Sequence, residues 1–225
     1  MRKLLRPVSL LFVLSALATN PSAAQSAPQE LVDSSKYVVE RLVNHPDFTR
    51  LKYSLANAKA VLIIPSLLKA GFILGAEGGS GVLLTRDANG EWSYPAFYSM
   101  GAGSFGLQAG FQDSEVVFVI LTIDGLNAVL NNNVKLGLDA SVAAGPVGQG
   151  IEGSTTTSLG ADIVAYSKNR GLFGGGAFEG AVVYERDDLN RAYYDVGASA
   201  RSIVMDRQFT NVGAEALRSV LVVQP

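Results

Sequence analysis

The stretch from Lys69 to Gly110, KAGFILGAEGGSGVLLTRDANGEWSYPAFYSMGAGSFGLQAG, decides the fold. Asn89-Gly90 is a turn signal, because both residues tolerate positive φ. Residues 81–86 and 91–99 on either side of it read as a hairpin. Residues 102–111 alternate. Phe105, Leu107, Ala109 and Phe111 share one face, while Ser104, Gly106, Gln108 and Gly110 share the other. A period of two is a strand. Glycine weakens a strand interior, so repeated glycines on one face call for a bend, a bulge or a close backbone approach.

The β pattern extends both ways. Downstream, residues 116–123 are apolar on both faces, which predicts a central strand. Residues 126–130 read as a short helical turn, 134–143 as an alternating strand, and 148–157 as a Gly-rich loop. Residues 159–166, 172–178, 181–185 and 199–205 continue as strands, and 214–222 as a closing helix capped near Asn211. Upstream, residues 60–64 are a short buried strand closed by Pro65, and 71–76 a second strand. Residues 25–29 read as a frayed start. Residues 31–43 place Leu31, Val32, Val38, Val39, Leu42 and Val43 on one helical face. Pro46 ends that helix. Asp47 is placed to cap a second one, which carries Phe48, Leu51, Leu55 and Ala58.

The N-terminus has the three parts of a secretory signal: basic Arg2, Lys3 and Arg6, an apolar core over residues 8–18, and a small-residue cleavage site at Ser22-Ala23-Ala24. The apolar run is about half the roughly 20 residues a membrane span requires. With no cysteine in the chain, disulfides and a lipidated cysteine are excluded. About 200 residues suffice for a self-supporting core. The net charge of −2 becomes −5 once the signal is removed. Lys36, Arg41, Arg50, Lys52, Lys59 and Lys69 face only Glu40 and Asp47 within their segment, which is +4, while residues 70–225 are −7. Such asymmetry fits one basic face on an acidic body.

Catalytic and cofactor motifs fail on context. Gly101-Ala-Gly-Ser-Phe-Gly106 is a GxGxxG with Asp124 beyond it, but a dinucleotide site needs a helix directly after the glycines, and here the chain alternates with period two. Residues 75–81 lack the Gly-Lys-Ser/Thr ending of a phosphate loop. No Gly-x-Ser-x-Gly elbow occurs. His45 is the sole histidine, and beside Pro46 it reads as a capping residue rather than a metal ligand. Asp187 and Asp188 read as a solvated turn. Trp92 and Tyr94 fall on one strand face with Tyr98 further along it. Core packing explains them, with an aromatic rim for an amphiphilic ligand as the alternative.

Several segments together resemble the SYLF domain family: Ala58-Lys59-Ala60-Val61 with Ile64-Pro65, Lys69-Ala70-Gly71-Phe72, Gly78-Gly79-Ser80-Gly81-Val82-Leu83, Trp92-Ser93-Tyr94-Pro95-Ala96-Phe97, residues 103–110, and Tyr166-Ser167-Lys168-Asn169-Arg170-Gly171-Leu172-Phe173 with Glu179-Gly180. The likeness covers nearly the whole mature chain. It implies a non-catalytic module that binds phosphoinositides or other anionic phospholipids, with actin as a further partner in a yeast branch.

The expectation is a single α+β domain. Residues 1–24 form the signal, 25–59 a helical lead-in, and 60–225 a β-rich body with a curved or barrel-like antiparallel sheet and short helices at both chain ends. Phospholipid binding is placed on Lys36, Arg41, Arg50, Lys52, Lys59 and Lys69, in a periplasmic or secreted protein. No cofactor, metal or nucleic-acid partner is expected. The alternatives are a carrier enclosing a hydrophobic ligand and a lipid hydrolase using carboxylates.

Overall fold

A computed structural model describes residues 21–71, 74–105, 110–131, 133–145, 160–168 and 178–223. Four long strands form the centre: β1 (Ala60–Gly71), β2 (Leu74–Thr85), β3 (Ala96–Phe105) and β4 (Gly110–Ile120). Four short ones flank them: β5 (Val134–Lys135), β6 (Val142–Ala144), β7 (Ile163–Lys168) and β8 (Val182–Glu185). The order is β5-β8-β3-β2-β1-β4-β7-β6, a curled, open half-barrel. The sheet is mixed rather than purely antiparallel, because β6 runs parallel to β7.

Helices cover both faces. On one lie α1 (Pro21–Val43), α2 (Thr49–Ala56) and, from the C-terminal half, α4 (Asp187–Tyr193) and α6 (Glu215–Val220). On the other lie α3 (Ile123–Leu130) and α5 (Ala200–Val204). Val61, Ile63, Val82, Leu84, Val117 and Val119 pack under α1 and α2, against Val39, Leu42, Leu51 and Leu55. Leu62, Ile64, Leu83, Val116, Phe118 and Ile120 pack under α3 and α5, against Leu126, Val129, Ile203 and Val204. Coverage on both sides is why residues 116–120 read as an unbroken apolar run. Each fully buried side chain of this kind contributes about 1.5–3 kcal/mol.

Several elements differ from their sequence reading. Residues 25–29 are helical, within α1. Pro65 does not close β1 but sits in a bulge, where the ladders to β2 and β4 both slip by one residue. Because side chains alternate with period two, the extra residue exchanges the faces beyond it. Leu62 and Ile64 point to the α3 side before the bulge, and Leu67 points there after it. Residues 71–76 are the end of β1 and the start of β2, and residues 102–111 the end of β3 and the start of β4. The alternation runs across a reversal of the chain that small residues do not mark. Gly110 therefore opens β4, opposite Gly71; Gly106, the loop at 148–157 and most of 172–178 lie outside the described residues. Residues 134–143 divide between β5 and β6.

The close approach expected of glycine falls at Gly79 and Gly81, beneath the β1 bulge. Residues 199–205 form α5 instead of a strand, because Ser199 and Ser202 make reciprocal capping bonds. Asp47 does not cap α2; the His45 Nδ1 accepts the Asp47 N–H at 3.2 Å and caps the 3-10 turn Pro46–Phe48. Trp92 and Tyr98 lie on opposite faces of the sheet, both buried in core. Trp92 donates its indole N–H to the Leu221 carbonyl at 3.1 Å, which fixes α6 against the sheet. No helix among the described residues is long and apolar enough to cross a membrane.

Candidate functional site

The six basic residues divide into two groups. Lys36 on α1 pairs with Glu40 at 3.6 Å, one turn along the same helix. Arg41 forks onto Glu115 of β4, its Nε donating to Oε2 at 2.9 Å and its Nη2 to Oε1. Lys69 on β1 stands across from Glu77 on β2, Nζ to Oε2 at 3.7 Å. These three charges are matched. Arg50, Lys52 and Lys59 are exposed and have no carboxylate partner among the described residues.

The unmatched three sit on or just after α2, which is held rigidly. Leu51 and Leu55 are buried. The Phe48 ring meets Tyr166 edge-on with centroids 6.3 Å apart. Ser54 and Tyr166 share a hydroxyl hydrogen bond of 2.7 Å. The Arg86 guanidinium donates to the Ala56 carbonyl at the far end of α2. Lys59 is fixed through its backbone, its N–H donating to Ile120 and its carbonyl accepting from Arg86, both at 2.8 Å. The side chains of Arg50, Lys52 and Lys59 therefore stand on an anchored base. Tyr53 stands among them, 62% exposed. Nothing in the sequence pattern marks Tyr53; its exposure follows only once Leu51 and Leu55 are seen to be the buried positions of α2.

The bulge separates Lys69 from this group. It carries Lys69 to the α3 side, into a recess with Glu77, Ser114, Ser167, Leu67 and Phe178. Of these polar residues only Lys69 was singled out in the sequence. The others come from three further strands, and spacing along the chain does not bring them together. Burial pushes the Glu77 carboxyl up from its ordinary value, while Lys69 pulls it down.

Asp187 and Asp188 occupy the exposed first turn of α4. Asp188 is paired with Arg186 at 2.7 Å and Asp187 with Arg191 at 3.9 Å. Asp188 is thus part of a charged helix start, while Asp187 also shares a hydrogen bond with the carboxyl of Glu185. Burial pushes the Glu185 carboxyl up, the hydrogen bond and charge of Asp187 add to that, and the Ala200 N–H and the Asn190 Nδ2, donating at 3.1 Å, work against it.

Residues 101–223 match the Ysc84 family, described as Las17-binding protein actin regulator. The chain belongs to this family, the SYLF domain family. It is 36% identical to LAS seventeen-binding protein 3 of Saccharomyces cerevisiae over 156 residues, which are 68% of this chain and 34% of that protein. It is 34% identical to SH3 domain-containing YSC84-like protein 1 of Bos taurus over 179 residues, 79% of this chain and 52% of that one. The human protein of the same name is 32% identical over the same span. This SYLF chain thus spans about a third to a half of the curated relatives it matches.

Proposed function

We propose that the protein is a non-catalytic binding module that docks on anionic phospholipid surfaces through α2 and Lys59, three residues beyond its end. The observation that carries this reading is the unmatched trio Arg50, Lys52 and Lys59 on an anchored helix. A body of net negative charge is repelled by an anionic surface unless its free cations are gathered. Each cation near such a surface contributes about 1 kcal/mol, so three contribute about a hundredfold in affinity. Tyr53 adds a ring suited to the headgroup layer. Docking is by contact rather than by helix insertion, because the apolar faces of α1 and α2 are already spent in the core. Filled packing on both sheet faces also favours surface docking over enclosure of a hydrophobic ligand.

Co-sedimentation with phosphatidylglycerol vesicles, against neutral phosphatidylcholine, tests this. Arg50, Lys52 and Lys59 changed together to Gln weaken binding to the anionic vesicles about a hundredfold, and salt does the same by screening. Lys36→Gln, which removes a matched charge, has a much smaller effect. Binding that survives both high salt and the triple change overturns the reading.

The relatives' names favour a second partner class. Binding of an actin regulator of the Las17 kind, or of actin, is tested by pull-down with the purified proteins. Export completes the proposal, with cleavage after Ala24 and a periplasmic or secreted location.

A further inference from the structure

Tyr166 of β7 lies beneath α2, and its hydroxyl shares one hydrogen bond of 2.7 Å with that of Ser54. Two hydroxyls bring two protons, and the shared bond uses one of them. Burial pushes the ionisation of the phenol up, with Ser54 and then Arg50 pulling the other way. A phenol is a better donor and a weaker acceptor than an aliphatic hydroxyl, so Tyr166 donates and Ser54 accepts. The proton left over is that of Ser54, which is half-buried and so reachable from solvent. It has no acceptor among the described residues. The Tyr166 ring is wedged between Phe48 and Gly145, where an added Cβ would come within 2.5 Å of it. The hydroxyl pair is therefore held in place.

Two cations flank it. Arg50 stands one helical turn before Ser54 on the same flank of α2, near enough to act on the Tyr166 oxygen. Lys168 follows Tyr166 by two positions on β7 and shares its face of the sheet. The strand pairing agrees. Lys168 lies directly opposite Glu115 of β4, and Glu115 faces the α1 side, where Arg41 forks onto both of its oxygens. Lys168 itself has no carboxylate partner among the described residues, and neither has Arg50.

The chemistry of the three groups narrows what they hold. The guanidinium offers a fork, the ammonium a point charge and the serine an O–H. Arg50 is exposed and Lys168 half-buried, so the group they hold docks from solvent and no cavity limits its size. A terminal phosphate carries three free oxygens and about two negative charges, enough to engage all three donors. A phosphodiester has one oxygen and one charge fewer, and leaves a donor idle.

We propose that Arg50, Ser54 and Lys168 seat one terminal phosphate, the phosphomonoester headgroup of a membrane lipid. The inference rests on the α2 docking surface and adds a preference among anionic lipids that gathered charge alone does not give.

The test is co-sedimentation of the full chain with two kinds of phosphatidylcholine vesicle, matched in zeta potential. One contains phosphatidic acid, a monoester, and the other phosphatidylglycerol, a diester. The wild-type chain is expected to bind the phosphatidic acid vesicles about tenfold more tightly. Ser54→Ala changes no charge, and is expected to abolish that preference while leaving binding to phosphatidylglycerol as it was. Lys168→Gln, at the end of β7, is expected to bring binding to phosphatidic acid down to the level of phosphatidylglycerol. Urea midpoints show whether each variant folds, and Lys168→Gln decides if Ser54→Ala does not. Loss of the preference in a folded variant supports the seat. Equal binding to the two vesicles, binding to neither, or a preference kept in every folded variant overturns it. The surface reading fails differently: binding to phosphatidylglycerol would ignore the joint change of Arg50, Lys52 and Lys59.

Discussion

Gly81 lies under the carbonyl of Ile63: a Cβ built on Gly81 would be 2.0 Å from that oxygen and 2.6 Å from the Cδ1 of Ile64. The bulged strand β1 presses its backbone onto β2 here. Gly81→Ala is therefore expected to destabilise by about 3 kcal/mol or more, since backbone cannot step aside as a flexible side chain does. Gly103, on the same sheet, has nothing within 4 Å of its Cβ position. Gly103→Ala is expected to stay within about 0.5 kcal/mol of wild type. Urea midpoints of the two variants check the contrast. Equal midpoints would mean that β1 does not bulge onto β2.

Tyr98 is fully buried and its hydroxyl has no hydrogen-bond partner among the described residues. Burial pushes its ionisation far up, and the nearby Glu185 adds to the effect. Tyr98→Phe removes an unsatisfied group without changing the shape, so stability is expected to be unchanged or to rise by up to about 1 kcal/mol. The sign of the pH effect follows. The folded state keeps the Tyr98 proton when the unfolded chain loses it near pH 10, so stability falls as pH rises above that point. The variant should show a shallower alkaline fall in melting temperature. A loss of stability at neutral pH in Tyr98→Phe would count against the unpaired hydroxyl.

Glu77 gives an acid-side counterpart. Its carboxyl is raised above 4.5 by burial. The folded state therefore binds a proton that the unfolded state has released, and stability falls as pH rises from about 4.5 through the raised value. Glu185 titrates with the same sign. The difference between wild type and Glu77→Gln isolates Glu77: the variant should flatten the slope of urea midpoints over that window. A variant with the wild-type slope would show that Glu77 is as ionised in the fold as outside it.

The helical start of α1 bears on export. Cleavage after Ala24 would trim the first residues of α1 yet leave Val32, Val38, Val39 and Leu42, which pack in the core. Intact mass of the exported protein is expected to give a chain beginning at Gln25, with a melting temperature unchanged from protein made without residues 1–24. Recovery of the full-length chain in the cytoplasm would argue against export.

The parts of the fold that were legible in the sequence are those that side chains decide locally. The unbroken run Val116–Val117–Phe118–Val119–Ile120 could only be a strand covered on both sides, and it is. The closing helix was legible in position but not in its cap: Asn211 accepts the Gly213 N–H at 2.9 Å and caps the 3-10 turn Val212–Ala214, and the helix itself starts after Ala214 with no side-chain cap. Chain reversals among small residues were not legible, because an alternating pattern has the same appearance on both strands of a hairpin. The candidate site was half legible. Positive charge can be counted, but whether it is free depends on partners far along the chain. Arg41 is neutralised by Glu115, 74 residues away, and only the folded sheet brings the two together.

The bulge at Pro65 acts on the side chains of β1 much as an inserted letter acts on a reading frame. Everything after it is read on the opposite face. Deleting Pro65 would remove that extra letter: the pairing of Ile64 with Val116 would run straight on to that of Leu67 with Ser114, and Leu67 and Lys69 would keep the faces they have. Ironing the bulge flat with Pro65 retained would do the opposite, turning Leu68, now 42% exposed, into the recess and Lys69 out beneath α1 and α2. One surplus residue thus decides which side of the sheet owns the lysine.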